Sequence, residues 1–286
     1  MLKLLGRIDM RYRLLAIPVC MMLCLMLVPD RNPVALSIAP PPPAQEIPDD
    51  GSAVPDQAKM SRLAAQDPVA FLKWCLVRYQ REIHGYEGVM VKHERINGKV
   101  HPPETIDFWF REEPYSVLMK WREGARQATA ALYVANENNG KVLVLPTLLK
   151  WSGRIVERDP EGKDAKANGR YTMKEFSIRQ GTERTLKAWE AAKEKGILKV
   201  EFAGIQPVPE LNNRPCYKLT RTCNPPEEEG AVFVEVLVDA ENWLQIGSTI
   251  LDGERNLIGK YMFPELRVNP TFAADQFKDK SVRTIK

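Results

Sequence analysis

Residues 85 to 121, GYEGVMVKHERINGKVHPPETIDFWFREEPYSVLMKW, constrain the fold more than any other part of this chain. Asn97-Gly98 separates two runs that can pair, and Asn-Gly is the strongest short-range hairpin signal because both residues tolerate positive φ. Glu112-Glu113-Pro114 ends the second run and Ser116 to Trp121 begins a third, so the segment reads as three consecutive antiparallel strands. Phe108, Phe110, Val117, Met119 and Trp121 recur with period two. One sheet face is therefore aromatic and apolar, the other polar. Such a face must be buried against something, and what covers it is the functional question.

The flanking segments supply candidate covers. Asp67-Pro68 places an acceptor at a helix N-cap and proline at N1, and Val69, Leu72, Leu76, Tyr79 and Ile83 follow at helical spacing up to Gly85. A second helix is expected from a cap at Thr182 to Lys195, with Leu186 and Trp189 on its inner face and Gly196 at its end. Further strands are expected at 128–135, 141–145, 198–202, 215–222, 231–239, 244–251 and 257–268, the run Val232, Val234, Val236, Val238 giving one strongly β-branched face. Residues 152 to 170 read as a mobile loop. The fold class is α+β, with one large antiparallel sheet over two main helices.

The ends of the chain have a different character. Lys3, Arg7, Arg11 and Arg13 precede an uncharged run from Leu14 to Val28, a basic segment followed by an apolar one of secretory length, shorter than the ~20 residues of a membrane span. Residues 1–39 are expected to be a signal peptide, or alternatively an uncleaved anchor to the inner membrane, and the protein to be exported to the periplasm or cell envelope. Residues 40–66 begin PPPPAQEIPDDG and read as an extended linker. The folded domain is expected over 67–280, with a tail at 281–286.

The basic balance belongs to the leader. Residues 1–39 hold five of the 41 Lys and Arg and two of the 37 Asp and Glu, leaving 36 basic against 35 acidic residues. That near-neutral remainder argues against nucleic acid as a partner. Cys75, Cys216 and Cys223 follow the leader, and an odd count leaves at least one thiol free, most simply a buried structural one.

Catalytic signals are absent. The three histidines, His84, His93 and His101, lie far from any Cys ligand set, and no GxSxG, CxxC, HExxH or phosphate-loop pattern occurs. His93 and His101 could be cross-strand neighbours, the minimum for a two-ligand metal site, but a solvated face is the simpler account. Glu82, Glu87, Glu94 and Glu104 read as solvated strand positions. No enzyme activity, cofactor or metal is expected. Lys92, Arg95 and Lys99 cluster on the first hairpin and could contact an anionic headgroup or a partner, or simply protect a sheet edge. Phe108, Phe110, Met119, Trp121 and Leu132 are candidates for the wall of an apolar ligand cavity, or else for ordinary core.

Several short patterns carry a resemblance. The first helix, then Gly85-Tyr86-x-Gly88, then the Asn97-Gly98-Lys99 turn and Pro114-Tyr115-Ser116-Val117-Leu118-Met119-Lys120-Trp121 resemble a family of exported bacterial proteins, domain of unknown function 1571. Arg214-Pro215-Cys216-Tyr217-Lys218-Leu219, then Val238-Asp239 to Leu244, and Asp275-Gln276-Phe277 resemble, more distantly, the outer-membrane lipoprotein carrier and sorting superfamily. That resemblance implies an incomplete antiparallel barrel around a helical lid, holding acyl chains. The expectation is a non-enzymatic envelope protein binding a lipid or acylated lipoprotein in its concave face. The alternative is an envelope protein-interaction or sensing module with a closed core.

Overall fold

The computed structural model describes residues 47–283, which belong to one compact unit. Two helices open it, α1 (Gln57–Gln66) and α2 (Pro68–Glu82). The meander follows as β1 (Gly85–Ile96), the short β2 (Lys99–Val100), β3 (Glu104–Arg111) and β4 (Ser116–Glu123). Then come β5 (Ala128–Val134), β6 (Val142–Pro146), β7 (Val156–Arg158), α3 (Lys163–Asn168) and α4 (Ile178–Glu194). The last strands are β8 (Val200–Val208), β9 (Arg214–Thr222), β10 (Ala231–Asp239), β11 (Gln245–Asp252) and β12 (Leu257–Val268), before α5 (Asp279–Arg283).

All strands join one antiparallel sheet in the order β7-β6-β5-β4-β3-β1-β12-β11-β10-β9-β8, with β2 paired to β1. The path is two meanders stitched together by β1 and β12, and its ends β7 and β8 do not meet. The fold is thus an α+β incomplete barrel. At the first turn Asn97 and Gly98 have φ of 51° and 76°, as the hairpin requires.

The glycines of Gly85-Tyr86-x-Gly88 mark where β1 is squeezed between its neighbours. A methyl group on Gly88 would lie 1.8 Å from the Glu265 carbonyl oxygen of β12, and one on Gly85 would lie 2.6 Å from the Phe110 carbonyl oxygen of β3. Between them Tyr86 points inward, and its hydroxyl accepts from the Ile178 backbone N–H at 2.7 Å, fixing the start of α4. The inward face there is a packed core of Tyr86, Phe108, Phe110, Val117 and Ile178. A second core joins α1, α2 and α4 to β9 and β10 through Met60, Phe71, Leu72, Trp189 and Tyr217.

The later motifs are likewise structural. Arg214 reaches the buried Asp239 at 2.8 Å, joining β9 to the end of β10. Asp239 also accepts from the Glu241 N–H at 2.9 Å. Phe277 packs with Leu118, Leu132, Leu145 and Val282 on the convex face, with the Arg111 guanidinium 4.7 Å from its ring.

Three expectations need correction. Residues 57–66, assigned to the linker, form α1: Asp56 caps it by accepting from the Lys59 N–H at 2.6 Å, and Met60 and Ala64 are buried. The 152–170 segment holds β7 and α3. Helix α4 begins at Ile178 under a Ser177 cap, and Thr182 lies inside it, donating to the Ile178 carbonyl. The expected leader, residues 1–39, lies outside the described residues, as does the linker up to residue 46.

Candidate functional site

The strand pairing fixes which side chains share the concave face. One cross-strand row runs Arg221, Val234, Ile250, Gly259, Glu94; the next runs Leu219, Val236, Ser248, Tyr261, Lys92, Glu104. A third continues Ile106 to Trp121, and a fourth Phe108, Met119, Ala131, Val144. Helix α4 crosses these rows without filling the space over them. A cavity of about 1150 Å³ lies between α4, the concave sheet and the 159–177 connection. That is at or above the upper end of the ~300–1,000 Å³ usual for small-molecule sites. Ile106, Met119, Val144, Val236, Ile250 and Phe263 give it apolar walls from both halves of the sheet.

One region of the wall is charged. Glu94 and Glu104 are buried, and Lys92 lies between them at 3.3 and 3.5 Å. Glu104 also accepts from Trp121 Nε1 at 2.5 Å and pairs with Arg126 at 3.2 Å. Glu94 accepts from the Tyr261 hydroxyl at 2.6 Å. Burial, reinforced by the Glu94 carboxylate, holds that phenol far above its ordinary range, so it is a fixed donor. Arg170 pairs with Glu229 at 2.9 Å. Its guanidinium lies over Gly259, where a methyl would come within 2.7 Å of Nη1; Gly259 is the cross-strand partner of Glu94.

Arg170 Nη1 is buried without a hydrogen-bond partner, and Glu94 Oε2 is met only by the Lys92 ammonium. A donor from the connection after α3 and an acceptor on β1 are thus held close together in a low-dielectric wall, where a polar ligand group could satisfy both. The acids are engaged by cations and hydroxyls, and no histidine side chain joins them in the wall. The arrangement can hold a polar group.

The structure distributes the candidate residues unevenly. Met119 and Trp121 line the cavity. Phe108 and Phe110 are fully buried in the core, Phe108 with its ring centroid 5.4 Å from Phe176 and 5.5 Å from Phe263. Leu132 does not share their face. It is opposite Leu118, while Met119 pairs with Ala131, so Leu132 packs on the convex side under Phe277. Lys92 is in the cavity wall, whereas Arg95 turns away to Asp252 at 2.6 Å and Lys99 is exposed on β2. The three therefore do not form one basic patch.

His101 N–H bonds to the Glu94 carbonyl and His93 pairs with Lys260, so the two histidines are not opposite each other. Among the described residues no group of three or more His, Cys, Asp or Glu is placed to hold a metal ion. Cys75, Cys216 and Cys223 are buried free thiols; burial, with Asp239 nearby, pushes Cys216 up to about 12. Glu94 and Glu104, read as solvated, were the missed residues. The signal was their parity, which continues the inward stripes Tyr86-Gly88-Met90-Lys92 and Phe110-Phe108-Ile106.

A half-open antiparallel barrel enclosing a largely apolar cavity is the class this geometry defines. The family model "Protein of unknown function (DUF1571)" matches residues 83–283, and the chain belongs to that family. No curated protein matches the sequence. Among solved structures, the chain is similar to MucB in the Pseudomonas aeruginosa MucA/MucB complex, with 17% identity, a TM-score of 0.43 and 74% of this chain covered. It spans 60% of that chain, less than two-thirds of its length. It is also similar to a LolA superfamily protein from Nitrosomonas europaea (6% identity, TM-score 0.33, covering 72% of this chain and 97% of that one). The Mycobacterium tuberculosis lipoprotein LppX shows 9% identity and a TM-score of 0.33, with 72% and 99% covered.

Proposed function

We propose that this protein is an exported, non-enzymatic cell-envelope protein that binds an amphiphile, a lipid or lipoprotein acyl chain, between its concave sheet and α4. The carrying observation is the cavity of about 1150 Å³ walled by Ile106, Met119, Val144, Val236, Ile250 and Phe263. Apolar wall of that extent favours a hydrocarbon chain. The Lys92, Glu94, Glu104, Arg170 and Tyr261 cluster favours a polar head over a plain hydrocarbon. Export rests on the basic and apolar run of residues 1–28. An interaction module with a closed core is the weaker reading, because α4 leaves the space over the sheet unfilled.

The test is extraction of protein purified from its native envelope, with mass spectrometry of the organic phase. A stoichiometric lipid is expected, absent from a Val144→Trp, Ile250→Trp variant that fills the cavity from both walls. Wild-type protein that yields no lipid and takes none up from micelles would overturn the reading.

A further inference from the structure

The segment joining β6 to β7 projects two large apolar side chains at the rim of the cavity. Residues 147–152, TLLKWS, form a 3₁₀ helix in which Leu148 is 93% exposed and Trp151 is 87% exposed. Residues i and i+3 eclipse on such a helix, so the two side chains share one face. The helix is held in place: Gly153 closes it in the left-handed region with φ 62°, and the Gly153 carbonyl accepts from Arg283 at 2.8 Å. Ser152 Oγ donates to the Leu149 carbonyl at 2.9 Å. A leucine and a tryptophan are therefore presented outward by a pinned element, exposed among the described residues.

We infer that this tip is a membrane-docking element, with Leu148 and Trp151 entering the interfacial region of a lipid bilayer beside the cavity mouth. Three observations select a bilayer over a protein surface. First, the tip and its exit, residues 147–156, contain Lys150 and Arg154 and no acid, which complements an anionic lipid surface. Second, the Lys150 ammonium sits 4.8 Å from the centre of the Trp151 ring, and an aromatic ring with an adjacent cation suits the headgroup boundary. Third, Leu148 also lines the cavity, so the tip brings the cavity rim to the level from which an acyl chain would enter. Two projecting side chains beside the Lys150 ammonium are too small to be the centre of a protein interface. The inference stands apart from the cavity reading, since a tip can dock whether or not the cavity is filled.

The experiment uses the full chain in vesicles of phosphatidylglycerol and phosphatidylethanolamine brominated on their acyl chains, with tryptophan fluorescence as the readout. Bromine quenches only rings that reach the acyl region. Quenching is expected in the wild type and largely lost in Trp151→Phe, while Leu148→Ser weakens the tip's partitioning about tenfold, the loss of one buried leucine's transfer energy. Both positions are exposed, so both variants should melt as the wild type does by circular dichroism. Equal quenching in the wild type and Trp151→Phe overturns the inference. Quenching that survives Trp151→Phe and disappears in Trp121→Phe also overturns it, and instead places lipid in the cavity. Absence of quenching in the wild type overturns it, and protection of Trp151 on cross-linking an envelope protein to the tip would then assign the tip to protein docking.

Discussion

Of the glycines in the sheet, Gly88 has the least room. Its Cα faces the β12 backbone so closely that even one methyl would lie 1.8 Å from a carbonyl oxygen, and a backbone atom cannot swing aside as a side chain can. Gly88→Ala is expected to cost about 3 kcal/mol in chemical denaturation, the upper end for forced overpacking; an unchanged midpoint would mean that β1 and β12 separate freely. Glu112 is a different kind of residue. Burial raises its carboxyl above the ordinary 4.5, against the opposing hydrogen bond from the Tyr79 hydroxyl at 2.5 Å. The folded chain therefore binds that proton more tightly than the unfolded chain does. The group's contribution is fully present below about pH 4.5 and is lost as pH rises through the raised value. Glu112→Gln keeps an acceptor for Tyr79 and is expected to raise Tm at pH 7, with the gain vanishing well below pH 4.5. A gain that is constant with pH would assign the effect to something other than the titration.

The elements differ in how clearly the sequence announced them. The meander was legible because β3 alternates buried and half-buried residues without a break, and because the Asn97-Gly98 turn fixes its register. Leu132 was misplaced for the opposite reason. Residues 130–134 of β5 are buried on both faces, the outer one under Phe277 and Val282, so alternation carries no information there. The charged wall was hidden because Glu94, Glu104, Arg126, Arg170 and Tyr261 come from five separated segments, three strands brought into line by their register and two connections folded over them. Helix α1 was hidden by its proline-rich approach and its single strongly apolar face, Met60, Leu63 and Ala64. It is nevertheless part of the fold: Met60 is fully buried in the core with Leu72, Leu76 and Trp189. Met60→Ala is therefore expected to cost about 2–5 kcal/mol in urea denaturation, whereas a tether would lose nothing.

At the scale of the whole molecule, the sheet remains open and its edges are managed rather than joined. β7 is only three residues long, and β8 is interrupted by a bulge between Phe202 and Ile205 and by Pro207. Both devices discourage a further strand from adding. Leaving the barrel open also leaves the space under α4, and a space of this kind forfeits dispersion contacts unless something occupies it. Occupancy should therefore appear as stability. A ligand at 100 times its Kd adds about 2.7 kcal/mol, which for a domain of this size moves Tm by about 5–10 °C. Protein carried through detergent extraction and gel filtration is expected to melt lower by that amount than protein as isolated, and to recover when phospholipid micelles are added. The Val144→Trp, Ile250→Trp variant separates this from any general effect of lipid on the surface. Its cavity is already filled, so its Tm should be the same with and without lipid, while a shift that persists in the variant would place the lipid outside the barrel.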